Sequence, residues 1–310
     1  MTAGSDTAFK LSDAASYDPV VASFDRLTER YSAPLARRVV DLARLGGPQR
    51  VLDVGTGTGV VALEAARRLE RPGGVVGIDL SGEMLARAAE KGAAAGLAPR
   101  LDFRRMDAEA LALEERRFDA VVSLYALLHF PHPEQALAEM HRVLRPGGRL
   151  VVAVGSGPSR RTAKGLVDGV GRVRARLQVQ RGTRLEAPHF LDHLVRKHFG
   201  EGPNVEESAL ARTHRNRAAV VPRLVEAAGF AEVRRYWQGY YPEVETAEAF
   251  WELQATFSSL ARKRLAAARP EAVEALRAEF FATCAAVLER GGRLVYPNAA
   301  LFVTAVRPAS

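Results

Sequence analysis

"RVLDVGTGTGVVALEAARRL", residues 50–69, runs from an apolar stretch through three glycines in five positions into a helical pattern. Glycine loses more conformational freedom on folding than any other residue. Three so close together mark a turn from which side chains are kept out. An apolar run, a tight turn and an amphipathic helix make one β-turn-α unit. In open α/β sheets that turn, at the carboxyl end of the first strand, is a usual ligand site. The dinucleotide fingerprint G-x-G-x-x-G fails, because with Gly55 and Gly57 as its first two glycines the third falls on Val60. A phosphate-cradling loop would need Gly-Lys-Ser/Thr, which is absent. What remains is Asp53-x-Gly55-x-Gly57-x-Gly59.

Outward from the turn, strands and helices alternate. "GGVVGIDL" reads as the next strand, and "SGEMLARAAEKGAAAGL" as a helix with Ser81 as a natural N-cap. "LDFRRMDAEAL" supplies a third strand and "FDAVVSLYALLHF" a fourth. "PEQALAEMHRVL" is a helix closed by "RPGG", and "RLVVAVG" is a fifth strand. Strands separated by helices of this length imply parallel pairing through right-handed crossovers. Ahead of the turn, residues 20–45 carry apolar residues at helical spacing and end at Gly46-Gly47-Pro48. Regularity lapses over 156–220, where "HFLDHLVRKHF" is the clearest helix. Residues 222–241 then return to helix, glycine turn and strand. A helical stretch, 246–290, precedes a final strand, "NAALFVTAVRP".

Composition narrows the classes. The chain has 310 residues, 47% hydrophobic and 26% charged, as globular proteins do. No apolar stretch reaches membrane-spanning length. The N-terminal stretch lacks the basic and apolar regions of a signal peptide, so a cytoplasmic location is expected. Cys284 is the single cysteine, which excludes an intrachain disulfide and a cysteine-rich metal site. The net charge is +8, and residues 156–220 hold 13 Lys or Arg against 6 Asp or Glu. Such a patch suits either an anionic partner or a solvated surface in an arginine-rich chain.

At this point the sequence resembles a family. "VLDVGTGTG" is similar to the first motif of class I S-adenosylmethionine-dependent methyltransferases, and later landmarks follow in that family's order. Asp79 ends the second strand, 20 residues after Gly59, and Asp107-Ala108 ends the third. "FDAVVSLYALLHF" and "HRVLRPGGRLVV" resemble the fourth-strand motif and the turn into strand five. The resemblance covers about residues 20–155, recurs weakly at 222–241 and 299–307, and looks closest to the quinone- and natural-product-methylating branch. It implies a Rossmann-like, doubly wound, seven-stranded, mostly parallel sheet. The expected plan is an N-terminal helical cap at 1–47 and a cofactor-binding core at 48–155. A helical lid follows at 156–221, and residues 222–310 complete the sheet around a helical insert at 246–290.

The same resemblance implies the cofactor contacts. Gly55, Thr56, Gly57 and Gly59 would pass under the methionine tail and ribose of S-adenosylmethionine, with Asp53 facing the tail ammonium through water. Asp79 would accept the ribose hydroxyls, since a carboxylate offers two acceptor oxygens. Asp107 would take the adenine amino group and Ala108 the ring, with Leu80 and Met84 as apolar walls. Ser123 and Tyr31 complete the expected set, Tyr31 as the tyrosine that commonly closes over the tail, near Tyr17, Phe24 and Arg30. His129, at the mouth of strand four, stands where some O-methylating relatives carry a base, and its intrinsic pKa suits that task. It equally suits a histidine satisfied inside a turn. His132 is expected to be exposed. His189, Phe190 and His193, and Trp237, Tyr240 and Tyr241, are candidate substrate-pocket residues or plain packing. His189-x-x-x-His193 lacks a third ligand, so no metal site is expected.

The sequence thus points to methyl transfer from S-adenosylmethionine to oxygen, or to a ring carbon, of a small, aromatic or natural-product acceptor. Two alternatives stay open. One is an RNA- or protein-modifying methyltransferase docking through 156–220. The other is a binding protein or cyclase that keeps the fold without methyl transfer. Poor aromatic interleaving in 156–220 speaks against nucleic acid, and a monomer or homodimer is expected.

Overall fold

The computed structural model describes residues 3–155, 177–179, 181–200 and 217–309. The expected lid at 156–221 therefore lies largely outside the described residues. The chain divides into two units: Met1–Gly157 with Glu207–Gln238 and Ala300–Ser310, and Pro158–Glu206 with Gly239–Ala299.

The first unit is built on the predicted sheet. Its strands are β1 (Arg50–Val54), β2 (Gly74–Asp79), β3 (Leu101–Arg105), β4 (Phe118–Leu124), β5 (Leu144–Gly155), β7 (Ala231–Tyr240) and β9 (Asn298–Val306). Their spatial order is β3-β2-β1-β4-β5-β9-β7. The first five run parallel and β9 pairs antiparallel with β5. The order reverses between β1 and β4, which makes the carboxyl ends of those strands the ligand-binding crevice. Val51, Leu52, Asp53 and Val54 are all buried, as a central strand covered on both faces requires. The "RPGG" segment departs from expectation. β5 already pairs at Leu144 with Phe118, then loops out before Arg149 meets Ala120, so the turn lies inside the strand.

Helices α1 (Ala3–Ala15), α2 (Val21–Tyr31) and α3 (Ala33–Ala43) form the N-terminal cap. The helical run read over 20–45 is two helices, broken where Ser32 accepts the amides of Leu35 and Ala36 ahead of the second. Helix α4 (Val60–Arg68) follows the glycine turn, and α5 (Gly82–Ala94) follows β2. Ser81 caps α5 as expected: its hydroxyl accepts the Met84 amide at 3.1 Å. Helices α6 (Pro133–Val143) and α8 (Arg217–Ala227) cover one face of the sheet through Leu137, Met140, Val143, Val221 and Val225.

The second unit joins pieces that the sequence keeps far apart. It contains α7 (His189–Phe199), α9 (Ala247–Phe257), α10 (Ser259–Ala267) and α11 (Pro270–Glu289). Strand β6 (Arg184–Glu186) pairs in parallel with β8 (Arg293–Val295). Phe190, Phe250 and Phe280 meet at 5.0 and 5.9 Å between rings and form its core. Gln254, fully buried, accepts the Leu191 amide and donates to the Phe250 carbonyl, so its polar head is satisfied there. Among the described residues, no helix is long and apolar enough to cross a membrane, and no group of His, Cys, Asp and Glu could hold a metal ion.

Candidate active site

The three turn glycines are bare for different reasons. All have left-handed φ, at 70°, 53° and 83° for Gly55, Gly57 and Gly59, a conformation in which any Cβ is strained. A Cβ on Gly55 would also overlap Ala126 at the end of β4, and one on Gly59 would strike Leu63 and Ala88. Protein packing thus accounts for those two. At Gly57 the nearest atom is Cε1 of Phe24, 3.6 Å away. Gly57 alone presents bare backbone to the space under α2, which narrows the expectation that all three glycines line a ligand.

Two carboxylates bracket this bare point. The Gly57 amide donates to Oδ2 of Asp79 at 2.9 Å, and the Ser81 amide donates to Oδ1 at 3.0 Å. Burial pushes the Asp79 carboxyl up, and the amides of Ser81, Gly57 and Leu80 pull it back. Asp53 is buried in β1. Its Oδ2 accepts the Thr56 hydroxyl at 2.7 Å, while its Oδ1 is buried with no hydrogen-bond partner. Burial pushes Asp53 up to about 7, against the Thr56 hydroxyl and the Ala62 backbone amide and with the nearby Asp79 charge adding to the rise. An orphaned carboxylate oxygen beside bare backbone is suited to an added cation.

Helix α1 closes over the strand ends, and its contribution is the feature that sequence reading missed. Lys10 Nζ lies 2.7 Å from Oδ2 of Asp107 and 2.7 Å from Oε2 of Glu109. Burial pulls the Lys10 ammonium down, but the hydrogen bonds to Asp107 and Glu109 outweigh it and hold it above its ordinary value. One turn away, Asp6 Oδ2 meets His132 Nε2 at 3.0 Å, and further along Asp13 Oδ2 meets His129 Nδ1 at 2.8 Å. His132, expected to be exposed, is therefore held by α1. Residues 6, 10 and 13 share one helix face, a pattern present in the sequence whose partners lie about a hundred residues away.

The remaining expected residues fall as follows. Leu80 borders a cavity of about 380 Å³ shared with Leu11, Ala14, Asp18 and Arg105. Met84 and Ala108 are buried. The Ser123 hydroxyl is spent on the Val54 carbonyl at 2.9 Å, joining β4 to β1. Tyr31 is buried at the end of α2 with the Arg30 guanidinium over its ring at 5.4 Å. Phe24 stands over the turn and meets Tyr17 edge-on at 5.4 Å; Tyr17 in turn meets His129 at 5.9 Å. Tyr125, the residue after β4, has φ 67°, a strained conformation for a side-chain-bearing residue and one that recurs at active sites.

Known proteins resemble this chain in sequence and in fold. Residues 51–148 match the methyltransferase domain family. A demethylmenaquinone methyltransferase of Thermus thermophilus is 48% identical over 117 residues, 37% of this chain and 51% of that one. Aklanonic acid methyltransferase DauC of a Streptomyces species is 32% identical over 145 residues, 47% of this chain and 66% of that one. The solved YcgJ protein of Bacillus subtilis aligns with a TM-score of 0.51 at 19% identity, over 87% of this chain and 97% of that one, a likeness of fold. Residues 51–148 are thus a methyltransferase domain. The match spans about half the length of the menaquinone relative.

Proposed function

We propose that the protein transfers a methyl group from S-adenosylmethionine to a small quinone- or polyketide-like acceptor, at oxygen or at a ring carbon. The observation that carries this reading is the bare Gly57 backbone between Asp53, with its orphaned Oδ1, and Asp79. The residues fit the cofactor: Asp53 Oδ1 would take the tail ammonium, Asp79 retains lone pairs for ribose hydroxyls, and Leu80, Met84, Asp107 and Ala108 would hold the adenine. When bound, the cofactor supplies a methyl on a sulfonium, already a good leaving group.

The chain's own task is then to align the acceptor and manage its proton. His129, at the mouth of β4 and more than a third exposed, would receive that proton at Nε2. Phe24 and Tyr17 would shed water from the turn. The Asp107 carboxylate, paired with Lys10, would release or share that partner when an adenine amino group arrives. The relatives named for menaquinone and aklanonic acid support an aromatic, polycyclic or quinonoid acceptor. Incubation with isotopically labelled methyl donor and a panel of demethylquinones, hydroxylated polyketides and simple phenols tests the reading. Label transfer to any of them supports it, and donor binding without transfer across the panel would oppose it.

A further inference from the structure

We propose that Asp13 of α1 is the positioning residue for His129, fixing its ring with Nδ1 protonated so that Nε2 takes the proton of a hydroxyl-bearing acceptor. This rests on the methyl-transfer reading above and assigns the acceptor class: an alcohol or phenol that still carries its proton when it binds.

The geometry is specific. Asp13 is buried, with 8% of its side chain exposed, and its Oδ2 stands 2.8 Å from Nδ1 of His129. A carboxylate oxygen accepts, so Nδ1 carries a hydrogen, and in the neutral ring the lone pair is then on Nε2. That nitrogen faces the Tyr17 hydroxyl at 3.5 Å, so a hydroxyl can come within reach of Nε2. Asp13 and Tyr17 are the groups in hydrogen-bond contact with the His129 ring. A base oriented by a buried carboxylate on one nitrogen and met by a hydroxyl on the other is the arrangement that proton abstraction needs.

The step balances. The acceptor O–H bond breaks and its proton goes to the Nε2 lone pair, while the oxygen pair forms the new bond to the methyl carbon. The S–CH₃ bond breaks with its electrons passing to sulfur, which ends neutral. Asp13 stabilises the resulting imidazolium through Nδ1–H without itself taking the proton. The neighbouring Asp6–His132 pair supplies an internal control: it joins the same helix to the same loop by the same chemistry.

The test is the His129 tautomer, read by ¹⁵N-resolved NMR of the full chain loaded with S-adenosylhomocysteine, in wild type, Asp13→Asn and Asp6→Asn. Wild type and D6N are expected to show a pyridine-like Nε2, and D13N to lose it. A wild-type Nε2–H tautomer, or a D13N spectrum like wild type, would overturn the proposal. With labelled methyl donor and any hydroxyl acceptor that turns over, D13N should lower kcat about 10- to 100-fold, up to the lower end of what general-base catalysis contributes. That deficit should close on an acceptor acidic enough to bind ionised. An equal loss on both acceptors would overturn the proposal, since it would mark Asp13 as a staple only. Calorimetry with S-adenosylhomocysteine separates the two readings: absent binding would defeat the cofactor assignment whatever the tautomer shows.

Discussion

Gly55 and Ala126 touch so closely that a Cβ on the glycine would overlap the alanine methyl, which locks the first turn of the crevice to the end of β4. At Gly57, two residues on, the nearest atom to such a Cβ is a phenylalanine edge at 3.6 Å. The two positions should therefore respond differently to one added methyl group. Gly55→Ala combines left-handed strain of ~1–2 kcal/mol with overpacking of ~1–3 kcal/mol. Gly57→Ala carries the strain alone. Chemical denaturation should show the larger stability loss in G55A, and titration with S-adenosylhomocysteine the larger affinity loss relative to stability in G57A.

Asp53 makes stability depend on pH in a defined direction. Its carboxyl sits at about 7 in the fold, well above its ordinary value. Between pH about 4 and 7 the folded chain thus holds a proton that the unfolded chain releases. Stability then falls as pH rises, by up to about 1.4 kcal/mol per pH unit. Asp79, also pushed up by burial, adds a slope of the same sign. Asp53→Asn should lessen the decline seen in denaturation midpoints across that range. An ammonium arriving at Oδ1 favours the ionised form, so cofactor binding at pH 6 should release protons from wild type and not from D53N. Calorimetry in two buffers of different ionisation heat reads this.

The core of this site was legible because its signals are local. The apolar run, the glycine turn, Asp79 at a strand end and Ser81 at a helix start each depend on neighbours within a few residues. Helix α1 was not. "AGSDTAFKLSDAA" has little apolar periodicity, and its Asp6, Lys10 and Asp13 acquire meaning only from His132, Asp107 and His129, 97 to 126 positions away. The second unit hid for a similar reason. Strands β6 and β8 are three residues each, and their pairing spans more than a hundred positions.

Docking of α1 should itself respond to pH through Asp6 and His132. The Asp6 carboxylate, as hydrogen-bond partner, holds His132 above its ordinary value of 6.5, and His132 holds Asp6 below 3.8. The His132 contribution is therefore complete below pH 6.5 and disappears as pH rises through its higher folded value. The Asp6 contribution disappears as pH falls through its lowered one. Amide exchange of α1, measured from pH 5 to 9, should speed up on the alkaline side beyond the intrinsic rate. Asp6→Asn should abolish that extra acceleration, and an identical profile in D6N would refute the coupling.

The most direct measurement is calorimetric titration of the full chain, wild type and Asp79→Ala, with S-adenosylhomocysteine. One site per chain is expected in wild type. D79A is expected to weaken it by at least the ~1.5–3 kcal/mol of lost charged hydrogen bonds, at least about 10-fold. No heat of binding in wild type, or equal affinity in D79A, would contradict the placement of the cofactor over Gly57.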